Sequence, residues 1–567
     1  MKRHISVLLL VLILAIGTAV RFIGLGGIPP GLTDDEADKG YDAYSLQLTG
    51  KDQWGAPWPL LAFKGFGDYR ASLYTYLAIP TVKLFGLTPF AVRFPSAFFG
   101  TLSILAVYIL VVELFRGLKH ARALAIISAA LLAISPWHIG MSRMAMEVTV
   151  SVFLVMIGVY LFLSGQRHRL LVPLSGLVFA LSVYAYPANI VFVPIVMMLL
   201  IGFFRESYIK KQLPLTILAV ALFFSIALPV VIAGNTATSV RVRQVNLTND
   251  SGIIDLLNEK RGACLQHVPA PICRVVFNKY YAFFEKFVDN YINHFSVNLL
   301  GIYGTSTQYS VLPERGLLYV IELPLLLLGV HTAFRTKSKP GIFMTLWLLV
   351  SAIPDSITSD GHYVRFLISL PAWQVLISVG LLQLTQFDKK KFFLLSVICL
   401  LLVADISHFA FEYTTYFPYR YSRFSHYGYK ELIADIENYK YRYDKIIVSS
   451  SVNDAKQYIF YLFHIIYDPL MFQKGIGVEK ELDRLGWVRV KRIQSVYFVP
   501  DLPLITKQTV IKDRELFIGD PSEFPKKVYI PTQFVVKDKK GDVVFQAVDA
   551  KDYIRCIQVV CTPDAAE

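Results

Sequence analysis

The sequence predicts a polytopic α-helical membrane protein with a small C-terminal extracytoplasmic α/β domain. Three observations lead there: apolar runs recur through the first 410 residues, basic residues gather in alternate connections, and the composition changes after about residue 411. The chain is 54% hydrophobic with a mean hydropathy of +0.49, well above a soluble globular mixture.

Many of the runs approach the ~20 residues needed to cross a bilayer. They give about eleven spans, centred near residues 13, 102, 130, 156, 177, 197, 223, 325, 347, 375 and 400, with proline breaks around Pro136, Pro187 and Pro354. The first run, Ile5 to Phe22, follows Lys2 and Arg3. It is longer than a secretory signal core and no small-residue cleavage site follows, so it is expected to be a retained span.

The net charge of +14 would suit a nucleic-acid surface, but its distribution argues otherwise. Sixteen Lys and Arg residues fall in six short connections, at 2–3, 116–122, 167–169, 205–211, 335–339 and 389–391, against Glu113, Glu206 and Asp388. All six connections imply one orientation, with the N-terminus cytoplasmic. An odd number of spans then leaves the tail, residues 411–567, outside the cytoplasm. Cys264 and Cys273 share one outer loop, and Cys556 and Cys561 share the tail, while Cys399 stands alone in a span. The two pairs are either disulfides of an oxidising compartment or four separate thiols, since spacing does not fix pairing.

Four outer segments follow: 24–89, 135–147, 234–315 and 354–365. In the first, residues 37–48 have helical character, and Tyr41, Tyr44 and Leu48 share a face suited to the membrane surface. The tail reads as a helix at 429–439, a buried strand at 445–448, an apolar helix at 454–466, a strand at 495–499, and a hairpin around Lys540-Gly541. No zinc-type Cys/His spacing, Walker loop or dinucleotide-binding glycine motif occurs.

The first outer segment carries Asp34, Asp35, Glu36 and Asp38. Carboxylates at the mouth of a membrane bundle are functional candidates. Outside the cytoplasm nucleotide donors are absent, so an activated group must arrive in the membrane, and a lipid phosphate can carry it. Such a transfer needs a carboxylate to deprotonate an acceptor hydroxyl and arginines to steady the departing phosphate.

Here the residues resemble a family. Gly31-Leu32-Thr33-Asp34-Asp35-Glu36-Ala37, Gly40-Tyr41-Asp42-Ala43-Tyr44 and Thr49-Gly50-Lys51-Asp52 resemble the first outer loop of bacterial GT-C glycosyltransferases, relatives of protein O-mannosyltransferases and of the lipid A aminoarabinose transferase. Gly67-Asp68-Tyr69-Arg70, Ala91-Val92-Arg93-Phe94-Pro95-Ser96, Ser135-Pro136-Trp137-His138 through Arg143 to Glu147, and His362-Tyr363-Val364-Arg365-Phe366 fit as well. The likeness covers residues 1–410, and the tail adds nothing to it.

The resemblance implies a GT-C-like transmembrane domain over 1–410 and transfer of a sugar from a polyprenyl-phosphate donor, with inversion, to a lipid, glycan or protein acceptor, among membrane lipids and without nucleic acid. It places the catalytic pair at Asp35 and Glu36, with Asp35 as base. The competing reading is that this acidic turn caps the helix that follows. Arg70 would contact the phosphate, and Asp68 would orient a sugar or help to bind a divalent metal ion, although Ala71-Ser72 stand where the family has prolines. Arg143, four residues before Glu147, either binds phosphate or neutralises that acid in the bundle. His362 and Arg365 sit in a turn able to reach a lipid headgroup. A rival class, a lipid-linked glycan transporter, would place its polar residues near the bilayer midplane in repeated halves; neither feature is evident.

Overall fold

The computed structural model of this chain describes residues 3–232, 247–304, 312, 315–358, 363–385, 389–422, 425–449, 456–483, 487–503, 514–525 and 528–558. Its first ten helices are α1 (Arg3–Phe22), α2 (Asp34–Thr49), α3 (Leu73–Phe85), α4 (Pro89–Leu114), α5 (Ala121–Ile134), α6 (Pro136–Ser142), α7 (Glu147–Ser164), α8 (Leu171–Ala185), α9 (Asn189–Phe203) and α10 (Leu213–Ile232). Two compact units result. One comprises Met1–Ile23, Tyr69–Tyr74 and Pro95–Ala410; the other comprises Gly24–Asp68, Thr75–Phe94 and Phe411–Glu567.

The first unit is helical. Among the described residues, six helices are long and apolar enough to cross a membrane, or seven if α5 and α6, bent by 59°, form one broken span. Each of the expected centres falls within a helix. Several are shorter than a full crossing, such as α8 and α9 at 15 residues each and Lys339–Ser351 at 13. The breaks fall where proline removes a backbone donor, at Pro136 between α5 and α6 and at Pro187 between α8 and α9.

Small residues let helix backbones meet. A Cβ on Gly329, in the helix Glu322–Arg335, would run into the carbonyl of Leu376 in the helix Leu370–Thr385, and one on Gly380 would run into that of Leu325. Among the described residues, the loop after α10 includes the α-helices Ser251–Leu265, Ala270–Val276 and Lys279–Asn293. A disulfide between Cys264 and Cys273 staples the first to the second. Cys399 is free and exposed, and Cys561 lies outside the described residues.

The second unit holds the tail sheet. Short strands β1 (Ala62–Lys64) and β2 (Tyr69–Ala71) precede it in the chain, followed by β3 (Lys445–Ser449), β4 (Val478–Leu482), β5 (Val488–Ile493), β6 (Val496–Val499), β7 (Glu515–Gly519), β8 (Thr532–Lys537) and β9 (Val543–Asp549). The seven-stranded order is β4-β5-β6-β3-β7-β9-β8. Central β3 runs parallel to β6 and β7, with Ile446 opposite Val496 on one side and Leu516 on the other. Buried on both faces, β3 is a continuous apolar run, as a central parallel strand should be. Phe517, Phe524, Val548 and Tyr553 pack with Ile447 on one face.

α2 belongs to this unit, as a buried helix rather than the membrane-surface helix expected. Asp38, Lys39, Asp42 and Ser45 are all buried, which is tolerable only with hydrogen-bond partners. The Gln53 amide N–H donates to Asp42 Oδ1 at 3.0 Å, the Gln53 side chain donates to Asp38, and the Ser45 hydroxyl donates to the Lys51 carbonyl at 2.8 Å. Tail helices Gln457–His464 and Pro469–Lys474 cover α2. The Tyr41 hydroxyl donates to the Tyr467 carbonyl at 3.0 Å, and Gln473 Nε2 donates to the Asp52 carbonyl at 2.9 Å. Burial pushes the Tyr41 phenol pKa up, so it stays a donor.

Candidate active site

The acidic turn at the start of α2 is organised by two separate devices. Thr33 is the N-cap: its Oγ1 accepts from the Glu36 amide at 3.2 Å, while Glu36 Oε2 accepts from the Thr33 amide at 3.0 Å. This capping box satisfies two amides that a helix start otherwise leaves without partners. Three acids in the first turn also complement the positive end of the helix.

The second device is Arg93 of α4. Its Nε donates to Glu36 Oε1 at 2.8 Å and its Nη2 to Glu36 Oε2 at 3.0 Å. The remaining N–H groups donate to the carbonyls of Leu25 (3.2 Å), Pro29 (2.9 Å) and Gly31 (2.8 Å). All five donors of the guanidinium thus have acceptors, with side-chain exposures of only 1% and 2% for Arg93 and Glu36. Removing one member of such a pair strands a buried charge.

The three acids therefore differ. Asp34 is held by Lys456 Nζ at 2.6 Å, and Glu36 is held by Arg93. Asp35 is the exposed one, its own amide donating to Asp34 Oδ1 at 2.9 Å. Of the three acids, Asp35 is the most exposed.

Asp68 lies in the same unit, half-buried, its carbonyl accepting from the Gly65 amide at 2.8 Å. Arg70, Arg143 and Arg365 belong to the other unit, and His362 lies outside the described residues. Arg70 is 7% and Arg143 is 3% exposed. Arg143 Nη1 donates to the Val20 carbonyl at 2.6 Å. It follows the end of α6 while Glu147 begins α7, so the two do not stack on one helix as their spacing allows.

Arg365 is part of a constellation that sequence reasoning missed. Its Nη1 donates to Asp355 Oδ1 at 2.8 Å and to Thr358 Oγ1 at 3.1 Å. Asp355 Oδ2 is 2.8 Å from His294 Nε2, and His294 Nδ1 is 2.7 Å from the Asn290 carbonyl. The carboxylate is fully buried, whereas the Arg365 side chain keeps 16% exposure.

Arg21 was missed as well, and its partners explain it. Pro136 offers no N–H to the Leu132 carbonyl at the α5–α6 break. Arg21 of α1 donates to that carbonyl at 3.1 Å, to the Ala133 carbonyl at 3.1 Å and to the Gly17 carbonyl at 2.9 Å, and pairs with His138 Nδ1 at 2.8 Å. This gives His138, which carries no assigned role, a packing partner. Among the described residues no three of His, Cys, Asp and Glu stand together as a metal site.

Known proteins resemble this arrangement at the level of the fold. ArnT from Cupriavidus metallidurans bound to undecaprenyl phosphate superposes with a TM-score of 0.52 at 12% identity, over 96% of this chain and 98% of that one. Its apo form gives 0.51 at 12% identity, over 95% and 97%. The fold is GT-C-like. Within this GT-C-like chain, residues 70–232 match the family model described as dolichyl-phosphate-mannose-protein mannosyltransferase. No curated protein matches by sequence.

Proposed function

We propose that this protein transfers a sugar from a polyprenyl-phosphate donor to an acceptor hydroxyl on the extracytoplasmic face, with inversion. The observation that carries the reading is the exposure of Asp35 at the start of α2, beside a half-buried Asp34 and a buried Glu36. Asp35 takes the proton of the acceptor hydroxyl as that oxygen attacks the anomeric carbon from the side opposite the phosphate. The C–O bond to the phosphate breaks, and the lipid phosphate leaves as an anion.

Glu36 supports Asp35 through Arg93 and Thr33 and does not itself exchange protons. Arg70, Arg143 and Arg365, with His362, receive the charge of the departing phosphate; guanidinium groups suit that task by their planar, paired donors. Asp68 orients the sugar. The membrane part over 1–410 supplies the lipid-binding groups, and the tail over 411–567 buttresses α2 and helps to hold the acceptor. The match of residues 70–232 to a mannosyltransferase model supports this chemistry, and undecaprenyl phosphate bound to ArnT supports the class of donor.

The test is transfer from radiolabelled polyprenyl-phosphate sugars in membranes carrying the wild type or Asp35→Asn. Loss of transfer with normal protein levels is expected. Undiminished transfer removes Asp35 from the mechanism, and movement of intact lipid-linked sugar without bond cleavage replaces the transferase with a transporter.

A further inference from the structure

The helix Lys279–Asn293 is amphipathic, and among the described residues its apolar face is covered only in part, with Phe287 and Tyr291 half-buried and Tyr280 and Phe284 exposed. Tyr280, Phe284, Phe287 and Tyr291 recur at helical spacing on one face, while Glu285, Lys286 and Asp289 occupy the other. Tyr280 is 74% and Phe284 62% exposed, and the stapled tip beside them shows Val275 at 72% and Val276 at 51%. Exposed apolar side chains so concentrated mark an interaction surface.

Two observations select the occupant. At its far end the apolar face reaches an apolar helix of the membrane bundle: the Tyr291 hydroxyl donates to the Leu349 carbonyl at 2.9 Å, and the Leu349 side chain is 41% exposed on the helix Lys339–Ser351. The exposed face is therefore continuous with the exposed side of that apolar helix. Charge adds to this: from Arg261 through Phe284 the chain carries Arg261, Arg274 and Lys279 and no Asp or Glu. Arg274 and Lys279 are exposed, as befits a partner bearing phosphate groups. Tyr and Phe beside Lys and Arg are the composition of a membrane interface.

We propose that the face of Tyr280, Phe284, Phe287 and Tyr291, with the Val275–Val276 tip, lies in the headgroup region of the bilayer that holds the protein. The Cys264–Cys273 disulfide ties the tip to the helix Ser251–Leu265, and Arg274 and Lys279 meet lipid phosphates. The helix is then a lipid-contacting outrigger rather than a docking site for another protein.

The test uses the full chain in nanodiscs of mixed zwitterionic and anionic phospholipid. A Cys399→Ser background carries Phe284→Cys or Asp289→Cys, labelled with an environment-sensitive fluorophore. The label at 284 should lose fluorescence to doxyl groups on the lipids and resist aqueous iodide, while the label at 289 should respond to iodide. Iodide quenching at both positions overturns the proposal by showing solvent on the apolar face. Protection of position 284 from both quenchers also overturns it, because protein then covers the face. The readout is independent of sugar transfer, so its failure leaves the assignment of Asp35 untouched.

Discussion

Two buried ion clusters, one in each unit, are built in opposite ways. Around Glu36 the hub is an arginine, and oxygens converge on Arg93 until every N–H is used. Around Asp355 the hub is a carboxylate, approached by Arg365 on one oxygen and His294 on the other. A saturated arginine can hold a loop but has no donor left for a ligand. An arginine at the rim of its cluster, with part of its side chain exposed, can be held and still meet an anion. Under the proposed function, the first cluster is the architecture that holds the loop of Asp35, and the second is a mount for the Arg365 guanidinium.

The sharpest break of this comparison concerns neighbours in sequence. Asp35→Asn should lower transfer by roughly two to four orders of magnitude, the usual worth of a general base, with an unchanged melting curve in detergent. Glu36→Gln should instead yield poorly folded protein. A well-folded, inactive Glu36→Gln beside an active Asp35→Asn would reverse the two roles.

Next in size, Arg93→Met should cost about 3–5 kcal/mol of stability by leaving Glu36 buried without its partner. Thermal unfolding of the purified protein measures it, and the double change Arg93→Met with Glu36→Met should cost less than the sum of the single changes.

The mount predicts a kinetic effect instead. A hydrogen bond to a charged group is worth about 1.5–3 kcal/mol, so Asp355→Asn should raise the KM for the lipid donor by about tenfold or more, with a smaller change in kcat. A kcat loss as large as that of Asp35→Asn would place Asp355 in the chemistry. The smallest effect belongs to the cap: Thr33→Ala should cost about 1 kcal/mol, read as a lowered melting temperature with transfer retained below it.

Local signals were legible and distant pairings were not. Apolar runs located the helices of the bundle because hydrophobicity is read residue by residue, and Pro136 and Pro187 marked true breaks. In the tail, Tyr429–Tyr439, β3 and β6 lie where their patterns put them. β4 and β5 were missed although Val478–Leu482 and Val488–Ile493 mix apolar with charged positions. The alternation suits strands with one exposed face, and attention to it would have found them. The acidic turn was visible as a motif, and so was the stretch around Arg93, yet nothing in their spacing told that one clamps the other. His294 with Asp355 and Asp34 with Lys456 are likewise far apart in the chain. Only the fold pairs them, which is why the sequence suggested a surface helix where α2 is in fact enclosed.

Gly31 has a left-handed φ of +73°, and a Cβ there would strike the backbone carbonyl of Ser425. The loop that carries the acids is therefore built directly against a segment made nearly four hundred residues later. At a synthesis rate of about 5–20 residues per second, that is a wait on the order of tens of seconds. During it Asp34 has no Lys456 and α2 has no Tyr467 or Gln473. The ribosome must finish most of the chain before this loop can mature, so a prematurely terminated product would leave its bundle in the membrane with the acidic turn still unassembled.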